Sequence, residues 1–226
     1  MVYGELGRFP LYVNSQIRCV KYWFRLLEMD DTRLPKQAYL MLLSLDQNGK
    51  RCWVTEIREL LSRTGFYYIW LNQGAQNVIH FLSVLKQRLV DMFIQEWTEV
   101  VTEKDRYSIY RLFKEDFGGK IYIHYINIYC FRVALTQIRC GVLPINNNMH
   151  RYSSIVNHRT CPFCANVLED EYHFLYECPM YAGLRSGLLK DMYHIPLERL
   201  IASKDDNLCL SAAKFVFRLL GEDKLR

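Results

Sequence analysis

Three cysteines and one histidine lie within eighteen residues of this chain, and their spacing limits what the surrounding segment can form. The pattern is Cys161-x2-Cys164-x8-His173-x4-Cys178. Zn²⁺ takes four nitrogen or sulfur ligands in a tetrahedron, and a Cys-x2-Cys turn supplies two thiolates from one tight loop. The spacing therefore predicts a CCHC zinc site. With four protein ligands and no open position, such a site is structural and not catalytic.

The second half of this motif has to bring His173 and Cys178 to the same point. Residues five apart diverge by about 140° on a regular α-helix. We therefore expect the helix that carries His173 to unwind near Glu177, and Pro179 fits a helix that ends there. The acidic run at 169–171 is expected to be a solvated helix start, where negative charge is favourable.

Two other interpretations of the cluster stay open. The sequence "CPFC" at 161–164 has the form of a thioredoxin-type dithiol, but such sites need a βαβ context with the first cysteine at a helix N-terminus. Residues 145–160 contain no convincing strand. The other interpretation is a set of buried thiols beside a surface histidine. Four ligand-type residues in this order favour zinc over both.

The other cysteines and the composition indicate an intracellular globular protein, cytoplasmic or nuclear. No signal peptide or membrane-spanning segment is recognised, so we expect neither a disulfide framework nor a membrane partner. A hydrophobic content of 50% is enough for a core, and the net charge of +5 permits contact with an anionic polymer without requiring it. Small buried hydrophobes are the expected role of Cys19, Cys52, Cys130, Cys140 and Cys209.

The periodicity of the apolar residues predicts a mainly α-helical fold. Helices are expected at 14–29, 35–47, 53–63, 77–101, 106–117, 120–144, 181–193 and 206–220. Asn14 or Ser15 is the expected N-cap of the first, and the first half of 120–144 would also suit a strand. Residues 144–160 are expected to be a polar connector.

Two of these helices have a recognisable apolar stripe. In the first, the stripe consists of Ile17, Val20, Phe24 and Leu27. In the long helix at 77–101, the residues expected to point inward are Ile79, Leu82, Leu85, Leu89, Phe93 and Trp97. Such stripes are typical of helices that pack one face on a core.

The expected fold class is mainly α, a helical domain with a small irregular CCHC zinc-binding module near the C-terminus. The expected division is a helical region at 1–120, a helix with the zinc module at 121–195, and a C-terminal helix at 196–226. The histidines outside the cluster have no carboxylate or nucleophile partner at a recognisable spacing. An enzyme is therefore the least expected class of function.

The segments "RTCPFC" and "EDEYHFLYECPMYAGLR" resemble the zinc-binding domain that follows the reverse transcriptase in non-LTR (LINE-type) retrotransposons. In that family a Cys-Pro-x-Cys pair precedes Glu-Asp, an aromatic residue, His and then Cys-Pro. The matching ligand positions are Cys161, Cys164, His173 and Cys178, and the matching flanking positions are Glu169, Asp170, Pro179, Tyr181 and Arg185.

Other segments are similar to the same source. "ALTQIRCGVLPINNNMHRY" is similar to the helix and turn that precede the family's zinc motif, and "YGELGRFPLYVNSQIRCVKYWFRLL" is similar to sequence downstream of the polymerase. The chain has no Tyr- or Phe-x-Asp-Asp polymerase motif. The resemblance therefore implies a C-terminal remnant of a retrotransposon polyprotein, without polymerase or endonuclease activity of its own.

Two functions are consistent with these features. The first is a zinc-dependent module that binds RNA or DNA through cations on phosphate and aromatic rings on unpaired bases. Its candidate contacts are Arg18, Lys21, Arg25, Arg132, Arg139, Arg151, Arg159 and Arg185. The second is a helical structural or protein-interaction domain in which zinc is only a staple, or a fragment without a selected function.

Overall fold

The chain is mainly helical, as predicted. The computed structural model describes residues 2–104, 107–112, 114, 116–119, 122–152, 159–164, 166–188, 195–196, 199 and 206–223. Among these residues the only β pairing is one isolated bridge. None of the helices in these ranges is both long and apolar enough to cross a membrane.

The chain divides into two compact units. The inserted unit is Phe9–Trp97, and the discontinuous unit consists of Met1–Arg8 and Thr98–Arg226. The sequence-based division placed boundaries at 120 and 195 and kept residues 1–8 with the residues that follow them. The contacts group residues 1–8 with the C-terminal part of the chain.

In the inserted unit, the helices are α2 (Leu11–Leu27), α3 (Leu34–Gln47), α4 (Trp53–Arg63), α5 (Tyr67–Leu71) and the first part of α6 (Val78–Glu103). Helices α3 and α4 match their predictions, and Gly65 after α4 has the left-handed φ of +84° that glycine adopts freely. Helix α5 is not predicted by the sequence, because its apolar residues "YYIWL" are too few to establish a period.

Helix α2 begins earlier than its sequence predicts. Its first residue is Leu11, so neither Asn14 nor Ser15 is the N-cap, and that prediction is wrong. Pro10 occupies the cap position, and its fixed φ of −58° already suits the entry into a helix. The predicted apolar stripe is confirmed, since Val20 and Phe24 are buried and its other two members are half-buried.

The core of the inserted unit is built around Trp23. Its ring stacks on Trp70 with 5.6 Å between centroids, and its Nε1 donates a hydrogen bond to the hydroxyl of Tyr39 at 3.2 Å. A buried indole needs a partner for its N–H, so Tyr39 completes this packing. Helices α2, α3 and α5 meet at these three rings.

The rotation of α6 differs from the predicted one at its N-terminal end. Ile79 is 84% exposed, and Phe81 is buried in its place. The Phe81 ring packs edge-on against Phe24 and Phe66, with centroids 5.7 and 5.3 Å away. Since positions two apart lie about 200° apart on a helix, burying Phe81 turns Ile79 outward.

The discontinuous unit contains α1 (Val2–Leu6), the end of α6, α7 (Ser108–Arg111), α8 (Tyr122–Tyr125), α9 (Tyr129–Arg139), α10 (Asn146–Tyr152), α11 (Ala182–Leu188) and α12 (Asp206–Asp223). The helix predicted at 206–220 is confirmed as α12. Of the described positions in 106–117, only Ser108–Arg111 is α-helical. Residues 189–193 of the helix predicted at 181–193 lie outside the described residues.

Two predictions between residues 120 and 160 need correction. The stretch 120–144 contains two helices, because the chain is not helical at 126–128 and Ile128 has an extended backbone. Residues 144–160 are not only a connector, since they contain α10. The second of these helices, α9, ends at Arg139, before Gly141, whose φ of +59° is left-handed.

Helices α9 and α12 form the main packing contact of the discontinuous unit. Phe131 and Phe217 pack edge-on with 5.4 Å between centroids. Leu135 on α9 and Ala213 on α12 are completely buried. The small side chain of Ala213 lets α9 and α12 approach closely. Helix α12 also contacts α8 and α11, so the pair supports these neighbouring elements.

A buried ion pair joins α1 to α9. The Nε of Arg139 donates to Oε2 of Glu5 at 3.1 Å, and the hydroxyl of Tyr122 on α8 donates to the same oxygen at 2.6 Å. Glu5 and Arg139 are each 2% exposed. Burial and the nearby Glu5 carboxylate raise the pKa of Tyr122 and of Tyr110, so both phenols stay protonated donors.

We expect the change Arg139→Met to lower the free energy of unfolding by about 3–5 kcal/mol, because Glu5 then remains buried without its cation. Urea unfolding followed by circular dichroism measures this loss. The matched control is Arg51→Met, which removes an exposed cation paired with Glu56 at 2.8 Å and should change stability little. Equal effects of the two changes would contradict the structural role of the buried pair.

Candidate metal centre

The four residues of the CCHC pattern converge in the folded chain. One side-chain ligand atom from each of Cys161, Cys164, His173 and Cys178 lies within 4.8 Å of the others. The Sγ of Cys178 is 3.8 Å from that of Cys161 and 4.0 Å from that of Cys164. Two thiolates on a tetrahedral zinc with Zn–S bonds of about 2.3 Å lie about 3.8 Å apart. The separations therefore fit a metal held between the sulfurs.

A short hairpin positions the first two cysteines. The amide of Cys161 donates to the carbonyl of Val167 at 2.8 Å, and residues Thr160 and Leu168 form the isolated bridge. The chain reverses at Asn166, whose φ of +61° is left-handed. Asparagine is among the few residues other than glycine that adopt this conformation readily. The turn thus places both thiols on one side of the hairpin.

A widened helical turn positions the other two ligands. Residues His173–Glu177 form a π-helical turn, and the amide of Cys178 donates to the carbonyl of His173 at 2.9 Å. This hydrogen bond spans five residues instead of four, which enlarges the turn and brings residues five apart towards the same face. The sequence predicts that the helix unwinds near Glu177. In the structure the whole turn from His173 to Glu177 is widened instead.

The turn starts at a side-chain cap. Oδ1 of Asp170 accepts a hydrogen bond from the amide of His173 at 2.8 Å, and the carbonyl of Asp170 accepts one from Phe174 at 3.0 Å. Capping by aspartate satisfies an amide that the first turn leaves without an intrahelical partner. Asp170 therefore holds the backbone of His173 in place.

The imidazole of His173 is buried without a hydrogen bond. The residue is 4% exposed, and neither Nδ1 nor Nε2 has a hydrogen-bond partner. Oε2 of the exposed Glu177 lies 3.5 Å from Nδ1, close enough for this carboxylate to orient the ring. Buried polar atoms are normally paired, so a buried imidazole without a hydrogen bond among three thiols indicates a ligand for a cation.

The thiols are not arranged for redox chemistry. The Sγ of Cys178 lies 3.8 Å from that of Cys161 and 4.0 Å from that of Cys164, so neither pair forms a disulfide bond, which is about 2.05 Å long. Cys161 lies in the hairpin and not at a helix N-terminus. Burial raises the pKa of Cys178 to about 12 and also raises the pKa of Cys164, whereas a reactive dithiol needs a lowered pKa. A metal ion that replaced the proton would offset the preference of Cys178 for its thiol form.

Two of the three acids before the turn are buried, which corrects the expectation that the run is solvated. The half-buried Asp170 does start the helical turn, as expected. Glu169 is 5% exposed and Glu171 is 3% exposed. Oε2 of Glu169 accepts from the amide of Asn146 at 2.7 Å, and Oε1 of Glu171 accepts from Nδ2 of Asn148 at 2.8 Å. We call these two contacts the Glu–Asn clamp. It attaches the metal-binding segment to α10.

The three asparagines at 146–148 thus have a specific role that local sequence does not reveal. Beyond the clamp, Nδ2 of Asn146 donates to the carbonyl of Thr160 at 2.8 Å, and the amide of Asn147 donates to the carbonyl of Glu169 at 3.4 Å. Consecutive asparagines are typical of turns. Here they supply amides to partners that follow them by 14 to 23 residues, and only the folded chain brings these together.

Two of the arginines predicted to contact phosphate are buried. Arg185 is 3% exposed, and its guanidinium donates to the carbonyl of Cys178. Arg139 is held by Glu5 within the discontinuous unit. Burial removes both from the set of candidate phosphate contacts. Arg185 instead holds the backbone of Cys178, one of the four candidate metal ligands.

The remaining predicted cations lie in different places. Arg159 is exposed at the start of the hairpin, and its Nε donates to Nδ1 of His150 at 3.2 Å. Arg132 is half-buried on α9, and the side chain of Arg151 lies outside the described residues. Exposed positions on α2, in the inserted unit, are occupied by Arg18, Lys21 and Arg25. Only Arg159 is both exposed and part of the metal-binding segment.

No protein-family model, curated protein or solved structure matches this chain.

We expect Asn148→Leu to lower the free energy of unfolding by about 1–3 kcal/mol, because the buried carboxylate of Glu171 then loses its donor. Urea unfolding of the metal-loaded protein measures the effect. Met149→Leu is the matched control, since Met149 is the next residue of α10 and is 40% exposed. Equal stability of the two variants would show that the Glu–Asn clamp contributes nothing.

Proposed function

We propose that Cys161, Cys164, His173 and Cys178 bind one zinc ion that folds residues 159–188 into a small module. The observation that carries this proposal is the convergence of four ligand atoms within 4.8 Å, with both imidazole nitrogens of His173 lacking hydrogen bonds. Three thiolates favour Zn²⁺ over hard cations such as Mg²⁺ and Ca²⁺. Four protein ligands complete the coordination shell, so the ion serves structure.

The ion would join the two halves of the module, which also meet where the rings of Phe163 and Tyr181 pack edge-on at 6.5 Å. The hairpin at 160–168 and the turn at 173–178 each have their own backbone hydrogen bonds, and the four ligands join them. A core this small cannot supply much folding free energy. The free energy of metal binding is then part of the free energy of folding.

Metal analysis of the purified chain is expected to find about one zinc per molecule. Cys164→Ser should lose the zinc and, with it, the protection of residues 159–188 from hydrogen exchange. The matched control is Cys19→Ser, since Cys19 is a half-buried thiol outside the cluster, and it should keep the metal. A chain without metal, or a fold indifferent to Cys164→Ser, would contradict the proposal.

We further propose that the zinc module binds single-stranded nucleic acid, RNA or DNA, as its resemblance to the retrotransposon domain implies. Exposed groups of the right kinds support this. Phe163 in the Cys-x2-Cys turn is 42% exposed, Tyr172 before the π-turn is 53% exposed, and Arg159 is exposed at the start of the hairpin. Aromatic rings stack on unpaired bases, and guanidinium groups bind phosphate. This proposal assigns binding and no catalysis to the chain.

A protein-interaction role is the alternative, and exposed apolar side chains on the same module favour it. Val167, Leu168 and Met180 are 38%, 44% and 53% exposed. Exposed apolar residues close to one another are common where proteins associate. In this alternative, zinc only staples the module.

Salt dependence separates the two roles. Fluorescence anisotropy with a labelled single-stranded oligonucleotide should show binding at low salt that weakens steeply as salt rises. Arg159→Gln should reduce the salt slope by about 1, and Phe163→Ala should weaken binding roughly tenfold with the slope unchanged. Lys50→Gln, an exposed cation in the inserted unit, is the control and should have no effect. Absence of binding at low salt would leave the protein-interaction role.

A further inference from the structure

A cavity in the discontinuous unit lies among α1, α8 and α9. Its volume is about 500 Å³, within the range of roughly 300–1,000 Å³ of small-molecule sites. Its walls include Val2 and Leu6 of α1, Ile123 of α8 and Val133 of α9. The lining is overwhelmingly apolar and mainly aliphatic. Water gains few hydrogen bonds on such walls, so an apolar molecule is the favoured occupant.

The cavity forms on the face of α9 that does not pack against α12. Leu135 and Ile138 are buried on one face, and α9 packs against α12. The cavity is lined by residues at helical spacing on the other face: Tyr129, Arg132, Val133, Thr136, Gln137 and Cys140. Helices α1 and α8 on this side are only five and four residues long. Such short helices cover α9 incompletely.

Only one charged side chain of the cavity remains available to a ligand. Among the described residues, Glu5 and Arg132 are the two charged residues that line it. Glu5 is 2% exposed, and its Oε2 already accepts from Arg139 and Tyr122. Arg132 has no acidic partner within the described part of the chain, and one of its nitrogens donates to the carbonyl of Ile123 at 3.2 Å. Its other N–H groups can bind an anion.

From these features we infer that the cavity binds a medium-chain fatty acid, with the aliphatic chain between α1 and α9 and the carboxylate on Arg132. The aliphatic walls fit the chain, and the half-buried guanidinium complements the head group. The ion pair with Arg139 balances the charge of Glu5 and reduces its repulsion of the anion. This site is separate from the metal-binding residues and does not depend on the proposed function.

Isothermal titration calorimetry of the zinc-loaded full chain with decanoate tests this inference. Saturable binding at one site per chain is expected. Arg132→Gln should weaken decanoate binding about tenfold and leave the binding of decanol, which has no charge, unchanged. Val133→Trp should fill the cavity and abolish binding of both. Arg18→Gln, an exposed arginine of the inserted unit, is the control and should bind like the unaltered chain.

Three results would overturn the inference. The first is the absence of saturable decanoate binding. The second is binding that both Arg132→Gln and Val133→Trp leave intact, since the ligand would then lie elsewhere. The third is a dimer in sedimentation experiments that Val133→Trp converts to monomer, since the cavity would then receive a second copy of the chain. Circular dichroism of each variant verifies its fold, and Arg132→Gln keeps the test valid if Val133→Trp does not fold.

Discussion

The geometry of the candidate metal centre depends on one backbone hydrogen bond, from the amide of Cys178 to the carbonyl of His173. A regular α-helical turn would direct these two side chains about 140° apart, and the centre would then lose one of its ligands. The five-residue step widens the turn and brings the imidazole and the thiol to one side. Asp170 secures the start of this turn, and Arg185 holds the carbonyl of Cys178 at its end.

Polar groups inside the protein determine how these local pieces fit together. The carboxylates of Glu169 and Glu171 are directed into the protein, towards amides of α10. In another part of the discontinuous unit, the carboxylate of Glu5 is likewise directed into the protein and accepts hydrogen bonds from Arg139 and Tyr122. An unpaired buried carboxylate is costly, so each contact admits few alternative arrangements. These contacts therefore select one packing more than they add to stability.

Local pattern predicts the parts of the fold that local chemistry determines. The spacing from Cys161 to Cys178 has the form that a tetrahedral metal site requires, and the four residues converge as this spacing predicts. Helices α3, α4 and α12 follow from apolar periodicity. The rotation of α6 is not predictable in this way, because aromatic packing around Phe81 decides it.

The Glu–Asn clamp and the ion pair of Glu5 cannot be predicted from local sequence pattern, for a different reason. Asn148 and Glu171 lie 23 positions apart in the sequence, and Glu5 and Arg139 lie 134 positions apart. No period or spacing rule connects residues at such distances. For the same reason the sequence placed Arg139 and Arg185 among exposed cations, since burial of an arginine depends on partners that only folding brings near.

The pairing of Glu5 with Arg139 also has a consequence for the order in which the chain folds. Glu5 leaves the ribosome before its partner, which follows it by 134 positions in the sequence. Closing so long a loop is entropically costly, and such non-local contacts form slowly. The inserted unit Phe9–Trp97 has its partners close in sequence and can fold during synthesis. Helix α1 is therefore made before the inserted unit but is among the last segments to reach its final position.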